Sequence, residues 1–145
     1  MTDRTERLPD IMRLEIQIAD FMNGEQFAVA GASTDRKKYG NKVLRCYQQH
    51  HHAVIPVNPN ASIVEGLSAA ATLSEVLPTP HAVSVITPPS VTEQIVDEAI
   101  HLGMQHIWLQ PGAESIAAIQ ACLDAGVNLI HGGPCILVVL GYRET

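Results

Sequence analysis

Five short apolar runs punctuate the chain: Phe27–Ala30, Ala53–Val57, Ala82–Ile86, Ile107–Leu109 and Val127–Ile130. They are rich in Val, Ile and Ala and do not alternate with polar residues. Such runs fit strands buried on both faces, as in a parallel sheet. They lie roughly 20–30 residues apart, which leaves room for a crossover helix between one strand and the next.

The intervening segments carry helical spacing. Tyr39 to Gln49 places Val43, Leu44 and Tyr47 on one side. Ser90-Val91-Thr92-Glu93 has the form of a capping box, with Ile95, Ala99 and Leu102 following and Gly103 as the stop. A further helix is expected from about Glu114 to Ala125, ending at Gly126. Ahead of the first strand, Ile11, Leu14, Ile18 and Phe21 form an apolar stripe, and Pro9 suits a first helical turn. The segment Ala61–Leu77 gives the weakest signal, with one short helix near Thr72–Val76. Strands alternating with helices predict a Rossmann-like three-layer α/β fold. Its sheet is expected to be five-stranded and mostly parallel, with a helical extension over 1–24 and one domain over 25–145.

Composition narrows the function. With 145 residues, 46% hydrophobic and 17% charged, the chain suits one globular domain and not a disordered one. A net charge of −6 argues against nucleic acid, whose binders neutralise phosphates with many cations. The apolar runs are too short to cross a membrane, and Met1 to Asp10 lacks the apolar core of a signal peptide. The three cysteines, Cys46, Cys122 and Cys135, are odd in number and widely spaced, so a reducing cytoplasm is the simplest compartment.

The charge is unevenly spread. Arg36, Lys37, Lys38, Lys42 and Arg45 supply five of the nine basic residues, whereas Cys46 to Tyr142 contains no Lys or Arg. The cluster follows Gly31-Ala32-Ser33-Thr34, a turn directly after the first strand, where backbone N–H groups can approach a phosphate. The turn is neither Gly-x-Gly-x-x-Gly nor a P-loop, and no acid lies between Asp35 and Glu65 to hold ribose hydroxyls. A ligand with several phosphates, including one on the ribose, fits better than NAD.

Ligands of open α/β sheets bind beyond the carboxyl ends of the strands. The other four loops there are Asn58-Pro59-Asn60, Thr87-Pro88-Pro89-Ser90, Gln110-Pro111-Gly112 and His131-Gly132-Gly133-Pro134-Cys135. All consist largely of Gly, Pro and small polar residues, and together they point to one crevice.

Several of these segments resemble the CoA-binding domain family. They are Ser33, Lys38-Tyr39-Gly40-Asn41-Lys42-Val43, Ala53 to Pro59, Ser84 to Pro89, Ile107 to Gly112 and the Cys135 segment. The resemblance runs from about Glu25 to Leu140 and is to the stand-alone form of the N-terminal domain of the succinyl-CoA synthetase alpha subunit. It implies a fold that binds CoA or an acyl-CoA. Gly31, Ala32 and Ser33 would hold the pyrophosphate. Lys38, Tyr39 and Gly40 match the family's Lys-Tyr-Gly. Val57, Asn58 and Pro59 would lie near the nucleotide, and Thr87, Pro88 and Pro89 along the pantetheine path. Arg36 from the basic segment, and Gln110, Pro111, Gly112 and Cys135 from the last loops, complete the candidate set. Small family members often carry an Asp-Arg-Cys-like last loop, where this chain has Gly132-Gly133-Pro134-Cys135. The sequence has no counterpart of the synthetase subunit's second domain with its phosphorylated His, so ligation by that route is not expected.

No acid/base pair stands out, so a binding protein without catalysis of its own is expected. The alternative is a small enzyme, either an NAD(P)-linked oxidoreductase or a Cys-dependent acyl transferase using Cys135. A metal is not expected: His50-His51-His52 are consecutive and cannot all face one way, and they suit the end of the first crossover helix. His81, His101 and His106 read as surface or cap residues, and Trp108 as core. The leading helix is expected to pack on the sheet, with its stripe as core; a protein partner or a homo-oligomer is the further option, with this helix as the candidate feature for a partner.

Overall fold

In a computed structural model, residues 9–144 are described. Residues 1–8, with most of the segment examined for a signal peptide and the start of the 1–24 extension, lie outside them. Five strands form one wholly parallel sheet: β1 (Gln26–Ala30), β2 (Ala53–Val57), β5 (Ala82–Val85), β6 (His106–Leu109) and β7 (Asn128–Ile130). Their order is β2-β1-β5-β6-β7. The chain moves outward from β1 to β2, then returns to β5 on the other side of β1. The strand order therefore reverses between the carboxyl ends of β1 and β5, where α/β sheets place ligands.

Each predicted strand forms within about two residues of its apolar run. Alternate residues of a strand face opposite layers. Ala28, Ala30, Val83, Val85, Ile107 and Leu109 pack with Val96, Ala99, Ala118 and Cys122. Those last four come from α3 (Pro89–His101) and α4 (Ile116–Ala125). Phe27, Val29, Trp108 and Ile130 pack on the other face, with Phe21, Val43, Leu44, Tyr47 and Ile136. These come from α1 (Asp10–Met22), α2 (Tyr39–Gln49) and α5 (Ile136–Leu140). The three layers match the sequence pattern.

Trp108 is fully buried, edge-on to Phe21 with ring centroids 5.2 Å apart. α1 covers the β7 edge, where Gln17 Nε2 donates to the Leu129 carbonyl and Asn128 Nδ2 donates to the Gln17 carbonyl. Of the predicted stripe, Phe21 is buried and Leu14 and Ile18 are partly so, but Ile11, in the first turn of the helix, is exposed. Pro9 is the N-cap residue, one position before the first turn.

The capping box at Ser90 does not form. Pro88 is the N-cap and Pro89 the first helical residue, so Ser90 lies inside the helix. Proline at this position has no N–H to satisfy and its φ is already helical. Glu93 instead accepts a hydrogen bond from Ser115 Oγ, while Ser115 accepts from the Ala118 amide and caps α4. Between β2 and β5 lies a small antiparallel hairpin, β3 (Ile63–Val64) and β4 (Leu67–Ser68), followed by a single 3-10 turn at Leu73–Glu75. The turn falls in the short helical segment expected there. His81 and His106, read as isolated surface residues, are half-buried and stack at 4.3 Å. No described helix is long and apolar enough to cross a membrane.

A cleft at the strand reversal

The first turn after β1 is built by close backbone contact. Gly31 has φ +95°, a left-handed conformation that favours glycine. Its amide donates to the Val57 carbonyl, and the Ile86 amide donates to the Ala30 carbonyl. α2 then begins directly against this turn. A β-carbon at Gly40 would stand 2.0 Å from the Gly31 carbonyl oxygen, so only glycine lets the helix approach so closely. The α2 N-terminus has no side-chain cap. Its first amides have no partner within the helix, and they lie beside the Gly31 turn.

The buried Asn41 ties this corner together. Its Nδ2 donates to the Ser33 carbonyl at 2.8 Å and to Glu65 Oε2 at 3.1 Å, and its Oδ1 accepts from Arg45 Nε at 2.6 Å. Arg45, itself buried, also donates to the Arg36 carbonyl and lies over the Tyr142 ring. Ser33 Oγ accepts from the Asp35 amide, and Asp35 Oδ1 accepts from the Lys37 amide. On the β2 side, Asn58 Nδ2 donates to the Ala32 carbonyl, while Asn58 Oδ1 accepts from the Asn60 amide.

Three adjoining cavities follow the carboxyl edge of the sheet. The first, of about 540 Å³, is lined by Gly31, Ala32 and Ser33, by Lys38, Tyr39 and Gly40, and by Val57, Asn58, Pro59, Thr87 and Pro88. Those are eleven of the candidate residues in one place. The second, of about 590 Å³, shares Tyr39 and Ile86 with it and adds Gln110, Pro111 and Cys135. The third, of about 330 Å³, shares Gly31, Val57, Pro59 and Thr87 and runs between the 3-10 turn and α3. Here Glu98 holds the turn, accepting from the Leu73 amide and from Ser74 Oγ.

Arg36, Pro89 and Gly112 line none of these cavities. Pro89 starts α3, and the Gly112 amide donates to Glu114. Arg36 is ion-paired with Glu65 at the β3–β4 turn. The hydrogen bond from Asn41, reinforced by Arg36 and Arg45, holds the Glu65 carboxyl below the usual range against the opposing effect of burial. Lys42 and Arg45 lie 3.4 and 3.6 Å from the Glu144 carboxylate. Among the described residues, Lys38 is the base that lines the first cavity. The basic cluster is thus less concentrated on the crevice than its sequence position implies, because two distant acids engage three of its five members.

The candidate set did not include Asn60, Val43, Ile86, Leu137 and Val138, which also line the first two cavities. Ile86 is the last residue of an apolar run, and Asn60 stands in a loop already suspected. Nothing marks the others as more than helix-face residues. Among the described residues, no three His, Cys, Asp or Glu side chains gather where they could hold a metal ion.

The combination of a parallel sheet, a glycine-tight first turn and a crevice at the strand reversal defines a Rossmann-like ligand-binding domain. The chain belongs to the CoA binding domain family, whose model matches residues 25–141. Among solved structures, a conserved hypothetical protein from Pyrococcus furiosus is 35% identical, with a TM-score of 0.75 over 79% of this chain and 98% of that one. A hypothetical protein from Pyrococcus horikoshii shares the fold at 22% identity and a TM-score of 0.80, over 95% of this chain and 94% of that one. The dinucleotide forming acetyl-coenzyme A synthetase 1 of Ca. Korarchaeum cryptofilum shares it too, at 21% identity and a TM-score of 0.67. That match covers 77% of this chain and 27% of that one. None of the curated proteins matches the chain.

Proposed function

We propose that the protein binds CoA or an acyl-CoA, with its diphosphate at the Gly31 turn and its pantetheine arm running toward Cys135, and that it has no catalysis of its own. The observation that carries this reading is the run of adjoining cavities along one sheet edge, centred on the Gly31–Gly40 contact. CoA has three chemically distinct parts, and the cavities differ in the same way. The first offers backbone amides and Lys38 to phosphates. The third, walled by Val57, Pro59 and Ile95, suits the nucleotide end. The second is apolar and suits the arm and whatever it carries.

A binding role is supported by how the cavity-lining carboxylate is used. Glu98 accepts from the Leu73 amide and from Ser74 Oγ, and so is used to hold the wall of the third cavity. Residues 25–145 act as the binding unit, with α1 as a cover for the β7 edge.

Isothermal titration with CoA and dephospho-CoA tests the reading. Saturable CoA binding, tighter than that of dephospho-CoA, is expected. Absence of binding by either at millimolar concentration overturns it, and equal affinity removes the ribose-phosphate contact.

A further inference from the structure

A residue that lines the second cavity carries a polar atom that the fold does not use. Gln110 follows β6 and is almost wholly buried, at 3% exposure. Its Oε1 accepts from the Ile136 amide at 3.0 Å. That bond settles which end of the side-chain amide is oxygen, because a backbone N–H needs an acceptor. The other end, Nε2, is a donor, and it is buried with no hydrogen-bond partner. A buried donor left unmatched is costly, and native proteins rarely keep one without a reason.

Its surroundings define what could satisfy it. Gln110 shares the cavity with Val43, Leu137, Val138 and Cys135, and no charged residue lines the space. Val138 lies 80% exposed at its rim, an apolar side chain that a ligand would cover. The chain offers no Lys or Arg from Cys46 to Tyr142, Lys42 and Arg45 are engaged with Glu144, and Lys38 lines the first cavity and not this one. A ligand carboxylate would lose its hydration here without meeting a counter-charge. A carbonyl oxygen on an otherwise apolar chain would meet the buried, unmatched donor of Gln110.

Building on the CoA-binding reading, we infer that this cavity receives the acyl end of an acyl-CoA with a neutral, apolar acyl group, whose thioester carbonyl accepts a hydrogen bond from Gln110 Nε2. Dicarboxylic acyl groups such as succinyl are disfavoured. Each methylene added within the cavity strengthens binding by about 4-fold.

The test is titration of the full chain with CoA, butyryl-CoA and succinyl-CoA. Butyryl-CoA is expected to bind about 10-fold or more tighter than either of the others. In the Gln110→Glu variant, which keeps an oxygen for the Ile136 amide, the ratio of butyryl-CoA to CoA affinity falls by about 5-fold or more, while the gain from the apolar chain remains. A readout without substitution is the resonance of a 13C-labelled butyryl thioester carbonyl, which moves downfield when it accepts the hydrogen bond. CoA binding with no preference for butyryl-CoA over succinyl-CoA, or an unmoved carbonyl resonance in the saturated complex, overturns this inference alone. Failure to bind CoA and butyryl-CoA alike overturns the underlying reading as well.

Discussion

The Gly31 carbonyl oxygen occupies the space that a side chain on Gly40 would need, 2.0 Å from the position of its β-carbon. The turn that ends β1 and the helix that follows it are therefore packed backbone to backbone. Gly31 is constrained in turn, since its own β-carbon would lie 2.1 Å from the Ile86 carbonyl oxygen at φ +95°.

Gly40→Ala is expected to destabilise the protein by about 3 kcal/mol or more, because both clashing atoms belong to the backbone. Gly103→Ala has φ +79° but open space around the added methyl, and should cost only about 1–2 kcal/mol of backbone strain. Denaturant melts of the two variants check the contrast. Comparable losses would mean that the turn and helix can part easily.

Lys38→Ala should weaken CoA binding about 10-fold, the scale of one charged hydrogen bond, and should reduce its sensitivity to salt. Arg36→Ala should weaken it less, because Arg36 is drawn aside by Glu65. Titrations at two salt concentrations separate the cases. A larger loss at Arg36 would place the phosphates nearer the β3–β4 turn.

The cysteines differ in exposure. Burial pushes the Cys46 thiol up to about 11, with a further rise from Cys135, and burial alone raises Cys122 to about 11. Cys135 is half-exposed on the second cavity. Near pH 8 a thiol reagent should modify Cys135 first, and CoA should protect it. Raised folded-state values also favour the folded state while the thiols stay protonated. That contribution is complete below the ordinary value of 9.0 and is lost as pH climbs to about 11. Chemical denaturation between pH 8 and 11 should show stability falling, and a Cys122→Ala variant should fall less steeply.

The Tyr47 hydroxyl and Ser84 Oγ meet at 2.8 Å within the core. Burial pushes the phenol well above its ordinary value, so the pair stays neutral. Tyr47→Phe leaves the Ser84 hydroxyl without its partner and should cost about 1–3 kcal/mol. Adding Ser84→Ala should restore part of that loss, which a double-mutant cycle measures.

Much of this fold is written locally. Strands buried on both faces need runs such as Ala53–Val57, and such runs are visible in any reading of the chain. The β3–β4 hairpin was not, since two-residue strands with Ile63 exposed carry no periodic signal. The supposed cap at Ser90 failed because Pro88 and Pro89 had already set the helix start. The basic segment was legible as a cluster, but the partners of its members were not. Glu65 reaches Arg36 from 29 positions away, and Glu144 meets α2 from the far end of the described chain. Pairings of that kind arise from topology, which composition does not record. Gln110 is the reverse case: its position after a strand was suggestive, but only the fold leaves half of its amide unmatched.

Trp108 is the single tryptophan of the chain, and its indole N–H donates to the carbonyl of Pro134, the residue before Cys135. The protein therefore carries one indole fluorophore, sealed from water and tethered to the loop at the far end of the crevice. Any ligand that shifts this loop changes the hydrogen bond at the indole and with it the emission, so occupancy can be followed optically in the unlabelled chain.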